Sequence, residues 1–133
     1  MSRRDLVSNI NAAITLAPAA RTAAADGSTV DLTGYEMAAV VITSGTITDG
    51  SGYVFEVQHS DNGSDWEAVP DDELVGSEPT LTASDDNAVR KIGYRGRRRY
   101  LRASIASVTG SPSTGGVLSA VVLRGGARVA PLS

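Results

Sequence analysis

From Tyr100 to Ile105 the chain alternates: Leu101, Ala103 and Ile105 share one side, and Tyr100, Arg102 and Ser104 the other. A two-residue period of this kind is the mark of a half-buried β-strand. The strand opens from a basic glycine turn, Gly93-Tyr94-Arg95-Gly96-Arg97-Arg98-Arg99. One face therefore enters a core, while the other presents guanidinium groups and a phenol, which suit recognition of acidic surfaces. The stretch reads as a binding element and not as a seat of catalysis.

The same period governs most of the chain, in short runs punctuated by glycine, proline, asparagine and aspartate. Strands are predicted near Thr29–Leu32, Met37–Thr43, Tyr53–Ser60, Trp66–Val69, Ala88–Ile92, Arg99–Ala106 and Gly116–Leu123. Several short strands with turns between them indicate an all-β domain, a single antiparallel β-sandwich of jelly-roll type. A length of 133 residues fits one such domain and supports a core without disulfides or metals.

The N-terminal segment differs. Leu6, Ile10 and Ile14 recur every four residues and Asp5 stands near a helix start, so a short amphipathic helix is predicted over Asp5–Leu16, stopped by Pro18. A helix so short needs a surface to lie on. Residues 1–24 are accordingly read as an arm, lying on its own sandwich or on a neighbouring subunit, and residues 25–133 as the β-sandwich domain. Arg3-Arg4 followed by an alanine-rich stretch faintly resembles a signal peptide, but Ser8, Asn9, Asn11 and Thr15 interrupt the apolar run and cleavage is not expected. No run of eighteen apolar residues occurs, so no membrane span is expected.

The formal net charge of −3 hides a polarity along the chain: 11 of the 15 carboxylates lie between Asp49 and Asp86, and 7 of the 12 basic residues between Arg90 and Arg102. Lys91 is the only lysine. Arginine is favoured where planar, bidentate pairing crosses a contact, although codon bias in a GC-rich genome gives the same excess. The acidic half argues against nucleic acid as a partner. With no cysteine and the single histidine His59, thiolate chemistry and an imidazole metal site are not expected.

The plainest hairpin runs from Tyr53 to Trp66, with Tyr53, Phe55, Val57 and His59 on one face, Val54, Glu56, Gln58 and Ser60 on the other, and Asp61-Asn62-Gly63 as the turn. Trp66 is expected to fold back as a core aromatic, with ligand stacking as the alternative. Asp61, Asp65, Asp71, Asp72 and Glu73 invite calcium, but their spacing does not match the calcium loop, and wet turns explain them. No nucleophile elbow or phosphate loop is present, and carboxylates in turns keep ordinary acidity. The chain is read as a non-enzyme with no cofactor.

Two resemblances add to this. Leu16-Ala17-Pro18, Val30-Asp31-Leu32-Thr33-Gly34-Tyr35-Glu36, Gly45-Thr46-Ile47-Thr48-Asp49-Gly50, Gln58-His59-Ser60-Asp61-Asn62-Gly63, Leu74-Val75-Gly76-Ser77-Glu78-Pro79, Gly93-Tyr94-Arg95-Gly96, Arg99-Tyr100-Leu101-Arg102 and Val122-Leu123 form an ordered set that resembles small virion proteins of tailed bacteriophages, encoded beside the major capsid protein. The resemblance implies a capsid-associated decoration or cement protein, located on the virion and assembled in the bacterial cytoplasm. Its expected partners are the major capsid protein and further copies of itself. Ser60-Asp61-Asn62-Gly63-Ser64-Asp65-Trp66 followed by Arg99-Tyr100-Leu101-Arg102 resembles discoidin-type jelly rolls, which supports the fold more than sugar binding. The rival readings are a carbohydrate-binding module on the particle surface and a tail or connector protein. The expected interface comprises Leu6, Ile10 and Ile14 of the arm with Arg95, Arg97, Arg98, Arg99, Tyr100 and Arg102. Its arginines would meet an acidic patch on the capsid, on a neighbouring copy's Asp61–Glu73 segment, or on the acidic loops of the same chain.

Overall fold

A computed structural model describes residues 10–126. In chain order the strands are β1 (Ile10–Arg21), β2 (Val30–Asp31), β3 (Met37–Ile47), β4 (Gly52–Ser60), β5 (Glu67–Ala68), β6 (Leu74–Val75), β7 (Thr80–Leu81), β8 (Val89–Tyr94), β9 (Tyr100–Thr109) and β10 (Gly116–Gly125), with a 3-10 turn at Asp71–Glu73. One sheet has the order β1-β10-β3-β8-β6; the other is β2-β9-β4-β5, with β7 also paired to β4. All pairings are antiparallel. Leaving aside the two-residue β5 and β6, the first strand lies beside the last and the second beside β9, the nested pairing of a jelly roll.

The alternation does what the sequence requires of it. On β9, Leu101, Ala103 and Ile105 are at most 1% exposed, and on β4 so are Tyr53 and Val57, with Phe55 and His59 at 2%. They meet Val40, Ile42, Ile92, Leu118 and Val122 from the facing sheet in one continuous core. Truncating a side chain as enclosed as Phe55 to alanine costs about 3–5 kcal/mol.

The helix expected over Asp5–Leu16 is corrected for its described part: residues from Ile10 form β1, paired with β10 from Ile10↔Gly125 to Arg21↔Gly116. Spacing of four suits either structure when half of the residues are small. Pairing to a strand a hundred positions away decides the matter, which local periodicity cannot register. A bulge between Ile14 and Leu16 sends Thr15 and Leu16 both inward, at 1% and 2% exposure. The Thr15 hydroxyl donates to the Ser28 carbonyl at 2.8 Å and accepts the Ala103 N–H at 3.2 Å, so β1 is stitched to the opposite sheet. Residues 1–9, including Leu6 of the expected stripe, lie outside the described residues.

Trp66 is also corrected. It is half-buried on the outside of the second sheet and not in the core, because it shares the parity of Ala68, which faces the outward Gln58 across β4. The Arg102 guanidinium lies over its ring, 4.2 Å from the centroid. The long β1 and the two-residue strands β6 and β7 fall outside the strands read from the sequence.

Candidate functional site: the arginine turn and its cleft

Tyr94 ends β8 with its side chain buried, and the chain then turns back through residues 95–99 to start β9. Main-chain bonds hold this turn at both ends: the Arg95 N–H donates to the Glu73 carbonyl at 2.7 Å, and the Arg99 carbonyl accepts from Leu32 N–H at 2.7 Å. Between them the Arg98 N–H donates to the Tyr94 hydroxyl at 3.3 Å. The Tyr94 ring passes so close to Gly96 that a Cβ there would collide with it. Glycine at 96 is therefore a packing requirement.

The arginines divide into two groups. Arg98 lies between Asp61 at 3.3 Å and Glu67 at 3.1 Å. Arg99 clasps Asp31 with Nε and a terminal nitrogen, at 3.2 and 2.9 Å, and its guanidinium also lies 4.9 Å from the centre of the half-buried Tyr100 ring. Arg102 donates to Gln58 Oε1 at 2.7 Å and approaches Asp26 at 3.7 Å. These three are paired by the acidic loops of the same chain. Arg95 and Arg97 are exposed and form no ion pair among the described residues.

The clasp has an electrostatic signature. The hydrogen bond from Arg99, helped by the Thr33 N–H and opposed by partial burial, holds the Asp31 carboxyl well below the usual carboxylate range. Exposed pairs like these add only about 0–1 kcal/mol each to stability, so their main effect is to fix side-chain direction.

Beside the turn runs a cleft of about 670 Å³, whose opposite wall is the Leu32–Ala38 segment. Tyr35, Met37 and Tyr94 give it apolar surface, Glu36 one carboxylate, and Arg97, Arg98 and Arg99 a guanidinium rim. Met37 is 62% exposed. Arg124 backs Tyr35: its guanidinium stacks on the ring at 4.8 Å and donates to the Asp31 carbonyl at 2.8 Å and to Asn11 Oδ1. Sequence reasoning missed Tyr35 and Met37 as neighbours of the turn and Arg124 as the support behind Tyr35, since only the registers of β2 on β9, β3 on β8 and β10 on β3 bring them there.

Of the expected interface residues, Arg95, Arg97, Arg98, Arg99 and Tyr100 cluster at this end of the sandwich, and Arg102 lies on the adjacent outer face. Ile10 and Ile14 lie on β1 at the edge of the first sheet, Ile10 in the cross-strand row of Gly125 and Met37 and Ile14 farther from the cleft. Chemically, the cleft offers guanidinium donors next to a half-buried tyrosine and an exposed thioether, an arrangement that holds carboxylates and apolar side chains together. His59, the only imidazole, is 2% exposed and its Nδ1 is engaged by the Tyr94 hydroxyl. Among the described residues, no group of three or more histidine, aspartate or glutamate side chains could hold a metal ion.

Fold and site together define a jelly-roll sandwich that displays an arginine-rimmed cleft at one end. No protein-family model, curated protein or solved structure matches the chain.

Proposed function

We propose that this chain is a non-enzymatic structural protein of a bacteriophage virion, a decoration or cement protein that binds the head shell in many copies and stabilises it. The observation that carries the reading is the split among the arginines: Arg95 and Arg97 stand exposed without an ion-pair partner among the described residues, on a turn fixed by Arg98, Arg99 and their carboxylates. A turn that presents the unpaired Arg97 beside Tyr35 and Met37, with Arg95 exposed on the same turn, is suited to an acidic, partly apolar patch on the major capsid protein. Repetition over a shell then turns modest single contacts into a bond that is hard to reverse. The resemblance to small phage virion proteins points the same way. A carbohydrate module fits less well, because sugar stacking needs an open aromatic face and Arg102 covers one face of Trp66.

The test is co-sedimentation with shells of the cognate major capsid protein. The parent chain is expected to bind and to raise the shell's melting temperature, since a ligand of the assembled state stabilises it by mass action. Arg95→Glu/Arg97→Glu is expected to bind weakly while keeping its own melting temperature. Saturating parent protein that neither sediments with shells nor shifts their melting would refute the reading.

A further inference from the structure

Every large hydrophobic side chain that stands out as exposed among the described residues lies on one surface. These are Ile14 on β1, Met37 on β3, Val75 on β6, Val89 on β8 and Val117 on β10, at 57, 62, 51, 61 and 41% exposure. All five strands belong to the first sheet. Their neighbours in sequence, such as Leu74 and Leu118, point into the core, so the five exposed side chains share the outer side. Through the middle runs the cross-strand row Ile14, Val121, Val41 and Lys91, in which Lys91 is the single charge. The outer face of the second sheet is different, with Glu56, Gln58 and Arg102 on neighbouring strands. An antiparallel sandwich wetted on both sides carries polar side chains on both outer faces. Here one side is dry in composition and the other is not.

We propose that the outer face of the first sheet is a homodimer interface, covered by the same face of a second copy of this chain. Three considerations select that occupant. The complement of a broad sheet face is another sheet face, packed about 10 Å away with interleaved side chains, and a second copy brings one of matching composition. A twofold interface must be complementary to itself; a face with a single lysine in its central row meets its own image with little repulsion, and that lysine's long stem reaches outward to water. The area suffices as well. A five-stranded face about 24 Å wide and about 20 Å long presents roughly 500 Å² in projection, so pairing removes on the order of 1,000 Å² from water, the lower range of specific interfaces. The proposal shares only Met37, at the rim of the face, with the shell reading, whose charged contacts lie in the turn at residues 95–99.

Sedimentation velocity of the full chain from micromolar to hundred-micromolar concentration tests it. The parent is expected to be a reversible dimer. Ile14→Glu/Val89→Glu places carboxylates at two largely exposed positions and is expected to weaken dimerisation by about a hundredfold or more, with an unchanged circular dichroism spectrum. Val89→Lys alone, the milder change, is expected to weaken it by about tenfold. Arg95→Glu/Arg97→Glu is expected to dimerise as the parent does. A parent that stays monomeric at the highest concentration overturns the proposal. So does a dimer whose constant is unmoved in a folded Val89 variant, or one lost only in the arginine variant.

Discussion

The Tyr94 hydroxyl stands 2.8 Å from His59 Nδ1, a buried bond that ties β8 of the first sheet to β4 of the second. Their rings meet edge to face, with centroids 5.8 Å apart. Because the same hydroxyl accepts the Arg98 N–H, one oxygen joins both sheets to the arginine turn. Tyr94→Phe leaves two polar groups without this partner, and an unsatisfied buried group costs about 1–3 kcal/mol. The urea midpoint is expected to fall accordingly, and the Arg98 amide to exchange faster. An unchanged midpoint would show that water replaces the hydroxyl without loss.

Burial, and after it the charge of Arg98, lowers the His59 pKa from its ordinary 6.5. A group whose pKa is lower in the folded chain than in the unfolded one gives stability that is present above the unfolded value and lost as pH falls through the folded one. His59 is therefore expected to lower the parent's urea midpoint as pH drops from about 7 to about 5, while Glu78, whose pKa burial raises, works in the opposite sense. His59→Gln, which cannot titrate, is expected to flatten that decline. A decline of equal slope in the variant would assign it to other groups.

Asp49 organises the loop before β10. Its carboxylate accepts the N–H groups of Ser113, Thr114 and Gly115 at 3.0, 3.1 and 2.6 Å. The bonds from Gly115 and Thr114, outweighing slight desolvation, lower its pKa from 3.8 to about 2. The sign follows as for any carboxyl held down in the fold: its contribution is present above 3.8 and lost as pH falls towards about 2. Asp49→Ala is expected to lower the melting temperature at pH 7 and to reduce the parent's acid sensitivity in that window. Loss at pH 7 without a change in the acid limb would separate loop geometry from charge.

How far the sequence was legible depended on the range of the contact that decides each element. The β4 hairpin and β9 were readable because one buried face imposes a period of two on adjacent residues, as Tyr53 to His59 and Leu101 to Ile105 do. β1 was not, because Leu6, Ile10 and Ile14 satisfy a helical spacing, and only β10 supplies the hydrogen bonds that make the part from Ile10 a strand. Trp66 misled for a related reason: its size favours burial, but it shares the parity of Ala68, which pairs with the outward Gln58, and Arg102 covers it there. The basic turn was visible as composition. Which of its arginines remain unpaired was not, since Asp31, Asp61 and Glu67 reach Arg98 and Arg99 only through folding. The apolar outer face of the first sheet is the same kind of case, assembled from five strands that are scattered along the chain.

Charge reversal distinguishes the arginines that build the turn from those that it displays. Arg99→Glu sets a carboxylate against Asp31, which Arg99 holds at 2.9 Å, and so replaces an attraction with a repulsion where β2 meets β9. Both partners are about half exposed, at 54% and 42%, so solvent screening keeps the effect small. Restoring the pair in reversed order, Asp31→Arg/Arg99→Asp, is expected to recover part of the loss, and a double-mutant cycle isolates the coupling from changes at either site alone. Arg97→Glu, with no ion pair to break among the described residues, is expected to change stability by less than about 0.5 kcal/mol. Added salt should lessen the Arg99→Glu penalty and leave Arg97→Glu near the parent. Thermal melts of the four chains decide between the two roles. A loss at Arg97 equal to that at Arg99 would mean that Arg97 already has a partner within the chain, and the guanidinium offered to a shell would then have to be Arg95.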